Sequence, residues 1–274
     1  MSARGPARVS RRPGAVGAGR RWGPPLAAGA LLLAAWEFLP PLLGVSDLLL
    51  PPASAVAVAL VEQMARGLIL DNLLVTLWEA LAGFGLGSTA GIVCAAVITR
   101  SALLERALLP YLVALQALPK VALAPLLVVW LGFGIASKIS IATIIAFFPV
   151  LINAMIGFTT VEAEKIELMR SLVASEWQIF RIVRFPNALP FIFAGLNVAI
   201  VLSITGALVG EFVGAKKGLG MLLLQFNFNM DIAGMFAVLI VLALMGVVLH
   251  GAVRVLHRRL IFWAEPDDLE RRTP

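Results

Sequence analysis

Residues 139–152 read ISIATIIAFFPVLI, and this stretch decides the fold class because a helix built from it has no polar face. Such a helix belongs in the core of a large protein or in a membrane. The alternation of apolar and polar residues that marks strands of a membrane β-barrel is absent. Of the 274 residues, 60% are apolar and 14% are charged, whereas about a quarter are charged in ordinary soluble domains. The sequence therefore predicts an all-α protein whose solvent is lipid.

Apolar runs of similar character recur on both sides of this stretch. Each is long enough to cross a bilayer, which takes about 20 apolar residues per helix. Pro119 and Pro125 interrupt one run, so we expect that span to be broken. The sequence thus predicts a polytopic protein with about six transmembrane helices, which cover residues 26–43, 72–98 and 108–131, then a span that follows the turn 132–137 and runs to about 158, and finally residues 187–211 and 232–256.

Two further features carry structural predictions. The segment 44–71 is too polar to span and contains an amphipathic piece near residues 55–64, which predicts an external loop with an interfacial helix. In the second span, Gly83, Gly87 and Gly91 recur every four residues, so one face of that helix lacks side chains. That face should pack closely against another helix.

The two ends of the chain differ from the spans in composition. Residues 1–23 contain six arginines with Gly, Pro, Ala and Ser and no apolar period, which predicts a disordered basic cytosolic tail. The run that follows has no small-residue cleavage site at its end, so we expect a retained first span and not a cleaved secretory signal. Residues 24–262 are then predicted to form the transmembrane domain, and residues 263–274 a cytosolic C-terminal tail.

The lysines and arginines lie mostly on one side of a six-span topology. Of the 22, 17 fall in the N-terminal tail, the turn 99–107, the polar loop 159–186 and the C-terminus. The other side has Arg66, Lys138, Lys216 and Lys217, and Lys120 lies within a span. By the positive-inside rule, the side with 17 is cytosolic. Both termini and the polar loop, residues 159–186, are therefore predicted to face the cytosol.

The sequence argues against several function classes. Cys94 is the only cysteine, so no disulfide within the chain and no thiolate metal cluster is predicted, and no resident cofactor is expected. The net charge is +6, but the basic residues lie beside apolar runs, which favours membrane orientation over nucleic-acid binding. Gly-x-x-x-x-Gly-Lys-Ser/Thr, His-Glu-x-x-His and Gly-x-Ser-x-Gly are all missing, so neither ATP hydrolysis by this chain nor an intramembrane enzyme is expected.

The polar loop contains a predicted short helix. Ser175 and Gln178 have the spacing of a capping box, so the helix should begin there and stop before Phe185-Pro186. Periodicity alone leaves two interpretations open: a helix that docks onto a partner protein, or an amphipathic helix on the bilayer surface. In either case one face carries Trp177, Phe180, Arg181 and Arg184.

From Glu167 onward, this loop resembles the EAA loop of ABC importer permeases, in which a glutamate and paired alanines precede a glycine and Leu-Pro ends the motif. Leu168 and Met169 replace the alanines, and Val173 replaces the glycine. Because a β-branched residue adopts a positive φ only at a cost, we expect the turn at Val173 to be built differently. Residues 116–125, 147–150 and 210–212 are also similar to the family. By this resemblance the ATPase-coupling residues are Glu167, Val173, Ala174, Ser175, Trp177, Gln178, Phe180, Arg181, Arg184, Pro186 and Pro190.

The resemblance implies a fold, a function and partners. The fold would be that of a type I ABC importer permease with a cytosolic coupling helix, in a bacterial inner membrane. The partners would be ATP-binding-cassette ATPase subunits, a second permease copy and an extracytoplasmic solute-binding protein. The solute would be an anion such as nitrate, a sulfonate or taurine, or else a pyrimidine-type vitamin precursor or a riboflavin-type compound. The alternative is an ion-gradient-driven secondary transporter, which should show internal repeats, and none is evident.

Polar residues within the spans are candidates for the translocation pathway. Lys120 lies mid-span, where a lysine costs about 2.5–3.5 kcal/mol. It is interpreted either as a contact for an anionic solute or, the favoured interpretation, as a structural lysine satisfied by carbonyls freed near Pro119 and Pro125 or by a neighbouring helix. Glu211 is predicted to belong to an outer gate or a binding-protein contact, where Lys216 and Lys217 could pair with it. The other candidates, which can simply bond across helices, are Gln116, Asn153 and Asn197.

Overall fold

The structure, a computed structural model, describes residues 18–261, and within that range helices are joined by short connections. Five helices are long and apolar enough to cross a membrane, and a bent pair makes up to six. The prediction of an all-α polytopic protein is confirmed. The helices are α1 (Ala18–Leu42), α2 (Ala53–Ala65), α3 (Leu68–Ile98), α4 (Ala102–Ala117), α5 (Ala124–Leu131), α6 (Ile135–Thr159), α7 (Ala163–Ser171), α8 (Glu176–Ile179), α9 (Phe185–Gly214), α10 (Leu219–Phe228) and α11 (Ile232–Leu260).

Three long helices, α3, α6 and α9, pack at the centre of the fold because glycines let their backbones approach closely. A Cβ atom added to Gly87 would lie 2.5 Å from the carbonyl oxygen of Thr143 in α6. One added to Gly91 would lie 3.0 Å from the carbonyl oxygen of Phe147. Gly206 of α9 meets α6 in the same way. The predicted glycine face of α3 is therefore confirmed, and its partner is α6.

The span predicted to be broken is sharply bent. α4 ends at Ala117, and the segment Lys120–Leu131, a 3₁₀ turn followed by α5, is inclined to it by 81°. Leu118 is extended, with ψ of 135°, because the ring of Pro119 disfavours a helical conformation in the residue before it. α4 begins at Ala102, so much of the turn expected at residues 99–107 is helical.

The N-terminal part of the structure contains α1 and the predicted interfacial helix, α2. α1 begins at Ala18, inside the segment predicted as a tail, while residues 1–17 of that tail and the C-terminal tail 263–274 lie outside the described residues. Pro52, the residue before α2, has no side-chain hydrogen-bond acceptor for a cap. The carboxylate of Glu37 in α1 instead accepts the backbone N–H and the hydroxyl of Ser54, at 2.9 and 2.7 Å. α1 thus caps the N-terminus of α2.

The short helix predicted to stop before Phe185-Pro186 continues into the membrane. α8 widens into a π-helical turn at Phe180–Arg184 and passes directly into α9, so Glu176–Gly214 is one helical segment of 39 residues. Pro186 cannot donate an N–H, and local π adjustments are one way in which membrane helices accommodate proline. The predicted stop was wrong because it treated this proline as a helix end.

Candidate functional site

The polar loop folds as two short helices, α7 and α8, joined by a tight turn. The N–H of Val173 donates to the carbonyl of Arg170 at 2.9 Å, and the N–H of Ala174 donates to that of Met169 at 3.0 Å. These two bonds form a Schellman cap, which satisfies carbonyl groups at the end of α7. Glu167 lies on the exposed surface of α7, so it is open to a partner.

Val173 occupies the position of this cap that requires a left-handed backbone. Its φ is +58°, a conformation that glycine adopts freely and a β-branched residue rarely does. The expectation that the turn would be built differently here is therefore wrong. Its side chain is 91% exposed, so it meets little steric hindrance beyond its own backbone. The conformation stores about 1–3 kcal/mol of strain.

The helix α8 begins where the sequence predicts it. The hydroxyl of Ser175 accepts the N–H of Gln178 at 3.3 Å, and the side-chain carbonyl of Gln178 accepts the N–H of Ser175 at 2.7 Å, so the predicted capping box is confirmed. Arg170 of α7 forms an ion pair with Glu176 of α8 at 3.3 Å. These contacts fix the angle between the two short helices.

Trp177 and Phe180 share a face of the loop, as predicted, but only one of them is largely exposed. Their rings stack with centroids 5.6 Å apart. Phe180 also packs against Phe158 at the end of α6, with centroids 5.5 Å apart, and is half-buried. Trp177 is 67% exposed. Phe180 therefore anchors the loop to the spans, and Trp177 presents the free apolar surface.

The two arginines of the loop point to different surroundings. Arg181 is exposed, whereas Arg184 is half-buried and its Nη1 donates to the carbonyl of Thr99, just beyond the C-terminus of α3, at 3.4 Å. A guanidinium at a helix C-terminus satisfies orphan carbonyls and opposes the negative end of the helix dipole. Arg184 thus joins the polar loop to α3. Pro186 and the buried Pro190 lie in the first turns of α9.

A cavity of about 250 Å³ opens between α8 and the C-terminal end of α3. Trp177 and Phe180 supply an aromatic wall, and Arg100 and Arg184 supply positive charge. This combination suits a protein segment that carries an apolar side chain beside a carboxylate. The full lining is Ala96, Val97, Thr99, Arg100, Glu176, Trp177, Phe180 and Arg184.

Two of the candidate pathway residues lie together at the break between α4 and α5. The Nζ of Lys120 donates to the carbonyl of Gln116 at 2.8 Å and lies 4.8 Å from the ring centroid of Phe148. The carbonyl of Gln116 lies in the last turn of α4, where carbonyl groups lack helical partners. Lys120 is thus held within its own chain.

The two candidate asparagines bond within their own helices. Asn153 donates to the carbonyl of Pro149 at 2.8 Å, and Asn197 donates to that of Phe193 at 2.9 Å. Each bond runs back one helical turn. The side-chain oxygen of Asn197 is buried and accepts no hydrogen bond from the part of the chain that the structure describes.

Glu211 lies at the end of the bundle opposite the polar loop and is fully buried. Its Oε1 accepts the hydroxyl of Thr76 at 2.6 Å, and its Oε2 accepts the N–H of Gly220 at 2.5 Å. Lys216 and Lys217 were considered as its partners, but both are exposed. The carboxylate instead accepts the Gly220 N–H in the first turn of α10, a helix that the sequence analysis did not predict.

Two further charged residues of this region escaped the sequence analysis. Lys138 was counted on the external side, and Glu79 was not singled out, yet both are buried, with Nζ and Oε1 3.6 Å apart. Lys138 lies in the first turn of α6, at the end of the bundle opposite the polar loop, and the sequence analysis did not predict its burial there. The sequence could have indicated both residues, because an ionisable residue inside an apolar run is a candidate for a functional site.

Comparison with known proteins gives one consistent family. Residues 87–262 match the family described as the binding-protein-dependent transport system inner membrane component. The chain is 36% identical over 233 residues to the riboflavin transport system permease protein RibX of Chloroflexus aurantiacus, covering 85% of this chain and 87% of RibX. It is 31% identical to the formylaminopyrimidine transport permease protein ThiX of Halalkalibacterium halodurans, covering 85% and 92%. It is 30% identical to the putative aliphatic sulfonates transport permease protein SsuC of Bacillus subtilis, covering 93% and 92%.

A solved structure shares the fold. The chain superposes on a chain from the inward-facing MetNI methionine ABC transporter with a TM-score of 0.57. The match covers 67% of this chain and 93% of that one at 22% sequence identity. The fold is therefore that of type I ABC importer permeases, as the resemblance implied.

Proposed function

The chain belongs to the family of binding-protein-dependent transport system inner membrane components, and from that premise we propose that its polar loop couples it to a separate ATPase subunit. As a member of this family, it is a multi-pass permease subunit of an ABC importer of small solutes. The proposed coupling to an ATPase subunit rests on the loop, because the loop presents apolar surface that has no partner in the rest of the described chain.

The exposed surface of the loop supports docking. Leu168, Leu172, Val173 and Trp177 are all exposed, and the cavity beside Trp177 is lined by two arginines. A bilayer-surface helix would direct its apolar side chains toward the spans and lipid, as Phe180 does. Hot spots of protein interfaces are enriched in tryptophan and arginine. Trp177 and Arg181 are the proposed contacts, and the exposed Glu167 of α7 is a third.

The helical segment Glu176–Gly214 supports a mechanical role for this docking. Because α8, the π-helical turn and α9 form one segment, a displacement at Trp177 is carried along α9 through the centre of the bundle. The chain has no phosphate loop of its own, so we assign ATP hydrolysis to the partner. In this arrangement the polar loop and both termini face the cytosol, and the family's inner-membrane location applies.

A second copy of the chain, or a sister permease, is proposed to complete the pathway. α4 has no buried residue, and α5 exposes Val129 and Trp130 beside the break that contains Gln116 and Lys120. If the translocation path runs between the α4–α5 faces of two subunits, the break between α4 and α5 in each subunit lies at the centre of the path. Lys120, Gln116, Asn153, Asn197 and Glu211 stay predictions as pathway residues.

The solute is proposed to be a heterocyclic vitamin or a vitamin precursor. RibX and ThiX, whose names specify riboflavin and formylaminopyrimidine, have higher identity to this chain than SsuC, whose name specifies aliphatic sulfonates. The amine of Lys120 is occupied by the Gln116 carbonyl and the Phe148 ring, which favours a structural role over an anion contact. A sulfonate or another anion is the second candidate. Identification of the compound that co-purifies with the associated binding protein distinguishes them.

The docking proposal is tested with the variant Trp177→Ala. Loss of a hot-spot tryptophan costs about 2 kcal/mol or more, which is about a 30-fold loss of affinity. We expect the variant to insert into the membrane normally and to lose the ATPase subunit on co-purification.

Trp78→Ala is the matched control, because Trp78 is 61% exposed on α3 toward the opposite end of the bundle. This control should retain the ATPase. Full retention of the ATPase by Trp177→Ala, or equal loss by both variants, would contradict docking through the loop.

A further inference from the structure

Three charged side chains from three different helices meet at the end of the bundle opposite the polar loop. Glu79 of α3, Lys138 of α6 and Glu211 of α9 are 1%, 6% and 0% exposed. Two acids therefore face one base in a site removed from water. If all three were ionised, the site would hold one unbalanced negative charge, and each buried ion costs several kcal/mol in desolvation.

The surroundings of Glu211 suit an ionised carboxylate. Both of its oxygens accept hydrogen bonds, one from the Thr76 hydroxyl and one from the Gly220 N–H. The hydroxyl of Thr76 also accepts the N–H of Leu219 at 2.8 Å, and of the two acceptors within its reach Glu211, at 2.6 Å, is closer than the Asn72 carbonyl, at 3.2 Å. Gly220 lies in the first turn of α10, whose positive dipole end favours an anion.

Glu79 lacks such donors. Neither of its carboxyl oxygens accepts a hydrogen bond from any residue in the range 18–261. The Nζ of Lys138 is 3.6 Å from Oε1, which is an ion-pair distance and too long for a strong hydrogen bond. Glu79 lies one helical turn beyond Thr76 on the same face of α3, and Thr76 contacts Glu211, so the two carboxyl groups are neighbours. Two carboxylates in that position repel, whereas a carboxylic acid can donate to a carboxylate.

We propose that Glu79 carries a proton, which it donates in a hydrogen bond to the ionised Glu211. The site then contains one neutral acid, one carboxylate and one ammonium group, and its net charge is zero. The other charged residues around it, Asp71, Lys216 and Lys217, are exposed and do not balance the buried charge. This bound proton lets α3, α6, α9 and the start of α10 meet without an uncompensated charge, and loss of the proton would separate them.

The proposal is tested by infrared spectroscopy on the full chain purified in nanodiscs at neutral pH. The C=O stretching band of a protonated carboxylic acid should be present in the unmodified chain, and it should vanish in Glu79→Gln. It should persist in Glu79→Asp, which keeps the acid. Absence of the band in the unmodified chain, or its persistence in Glu79→Gln, overturns the proposal.

Thermal unfolding of the isosteric pair Glu79→Gln and Glu211→Gln gives an independent readout. Glutamine imitates a protonated glutamic acid, so Glu79→Gln should unfold within a few degrees of the unmodified chain. Glu211→Gln should unfold at a clearly lower temperature, or fail to fold, because its amide nitrogen would face one of the two donors, Thr76 or Gly220. Equal destabilisation by the two variants would contradict the assignment of the proton to Glu79. So would an infrared band that is lost in a folded Glu211→Gln but kept in Glu79→Gln.

Discussion

At the scale of single residues, Val173 shows that the hydrogen bonds of a turn can hold a β-branched residue in a strained backbone conformation. The Schellman cap needs a left-handed residue after α7, and its two hydrogen bonds hold Val173 at φ of +58°. Glycine would remove the strain but would leave no side chain at a position that is 91% exposed on the proposed docking surface. The valine therefore combines a turn with apolar surface for the proposed docking.

Val173→Gly should stabilise this turn. Release of about 1–3 kcal/mol of strain exceeds the roughly 0.4–1 kcal/mol that the greater freedom of glycine costs in the unfolded chain. We expect slower hydrogen exchange at the amides of residues 173 and 174, measured by mass spectrometry. Val173→Ile, which keeps the β-branch, should exchange as the unmodified chain does. Faster exchange in Val173→Gly would show that the valine is not strained.

Individual site residues were predictable to different degrees. The capping box at Ser175 and the shared face of Trp177 and Phe180 follow from local spacing, and the structure confirms both. The burial of Lys138 against Glu79 depends on how α3, α6 and α9 meet, and spacing along one helix does not contain that information. The exact conformation at Val173 was missed because local propensity was given more weight than the hydrogen bonds of the turn.

At the scale of helices, close packing of α3 against α6 organises the bundle. Lipid is as apolar as a leucine side chain, so membrane helices associate largely through close van der Waals contact, which small residues permit. Gly83, Gly87 and Gly91 supply that contact along α3. Gly85, on the same helix, has open space where a Cβ would be.

Gly87→Ala should therefore destabilise the protein, whereas Gly85→Ala should not. The added methyl at residue 87 meets the Thr143 carbonyl and forces the helices apart, which costs about 1–3 kcal/mol. The same methyl at residue 85 gains up to about 1 kcal/mol of helix propensity. Thermal unfolding of both variants in detergent checks this. Equal unfolding temperatures would show that the close α3–α6 contact does not contribute to stability.

Helix existence was predictable from composition, but helix ends were not. All long apolar runs became helices, since lipid leaves backbone groups no other partner. The boundary at Phe185-Pro186 was wrong because a π-helical turn carries the chain past the proline. α10 was missed because its ten residues are too short for a span, and its position depends on Glu211 and Thr76.

At the scale of the whole molecule, one helical segment connects the two sites. Glu176–Gly214 carries Trp177 near one end and Glu211 near the other, and at 1.5 Å per residue it is roughly 60 Å long. The proposed docking surface and the proposed proton site therefore lie on the same helical segment. On the proposed coupling, we expect a partner that moves the polar loop to change the contacts among Glu79, Lys138 and Glu211 as well.

The central claim is that transport through this chain is powered by ATP hydrolysis in a separate subunit. The most direct test is solute uptake into proteoliposomes that contain the permease, its ATPase and its binding protein, with riboflavin, formylaminopyrimidine and a sulfonate as the first solutes. We predict that uptake of the transported solute requires ATP on the ATPase side and persists when ion gradients are dissipated. Uptake by the permease alone, driven by an ion gradient without ATP, would contradict the account.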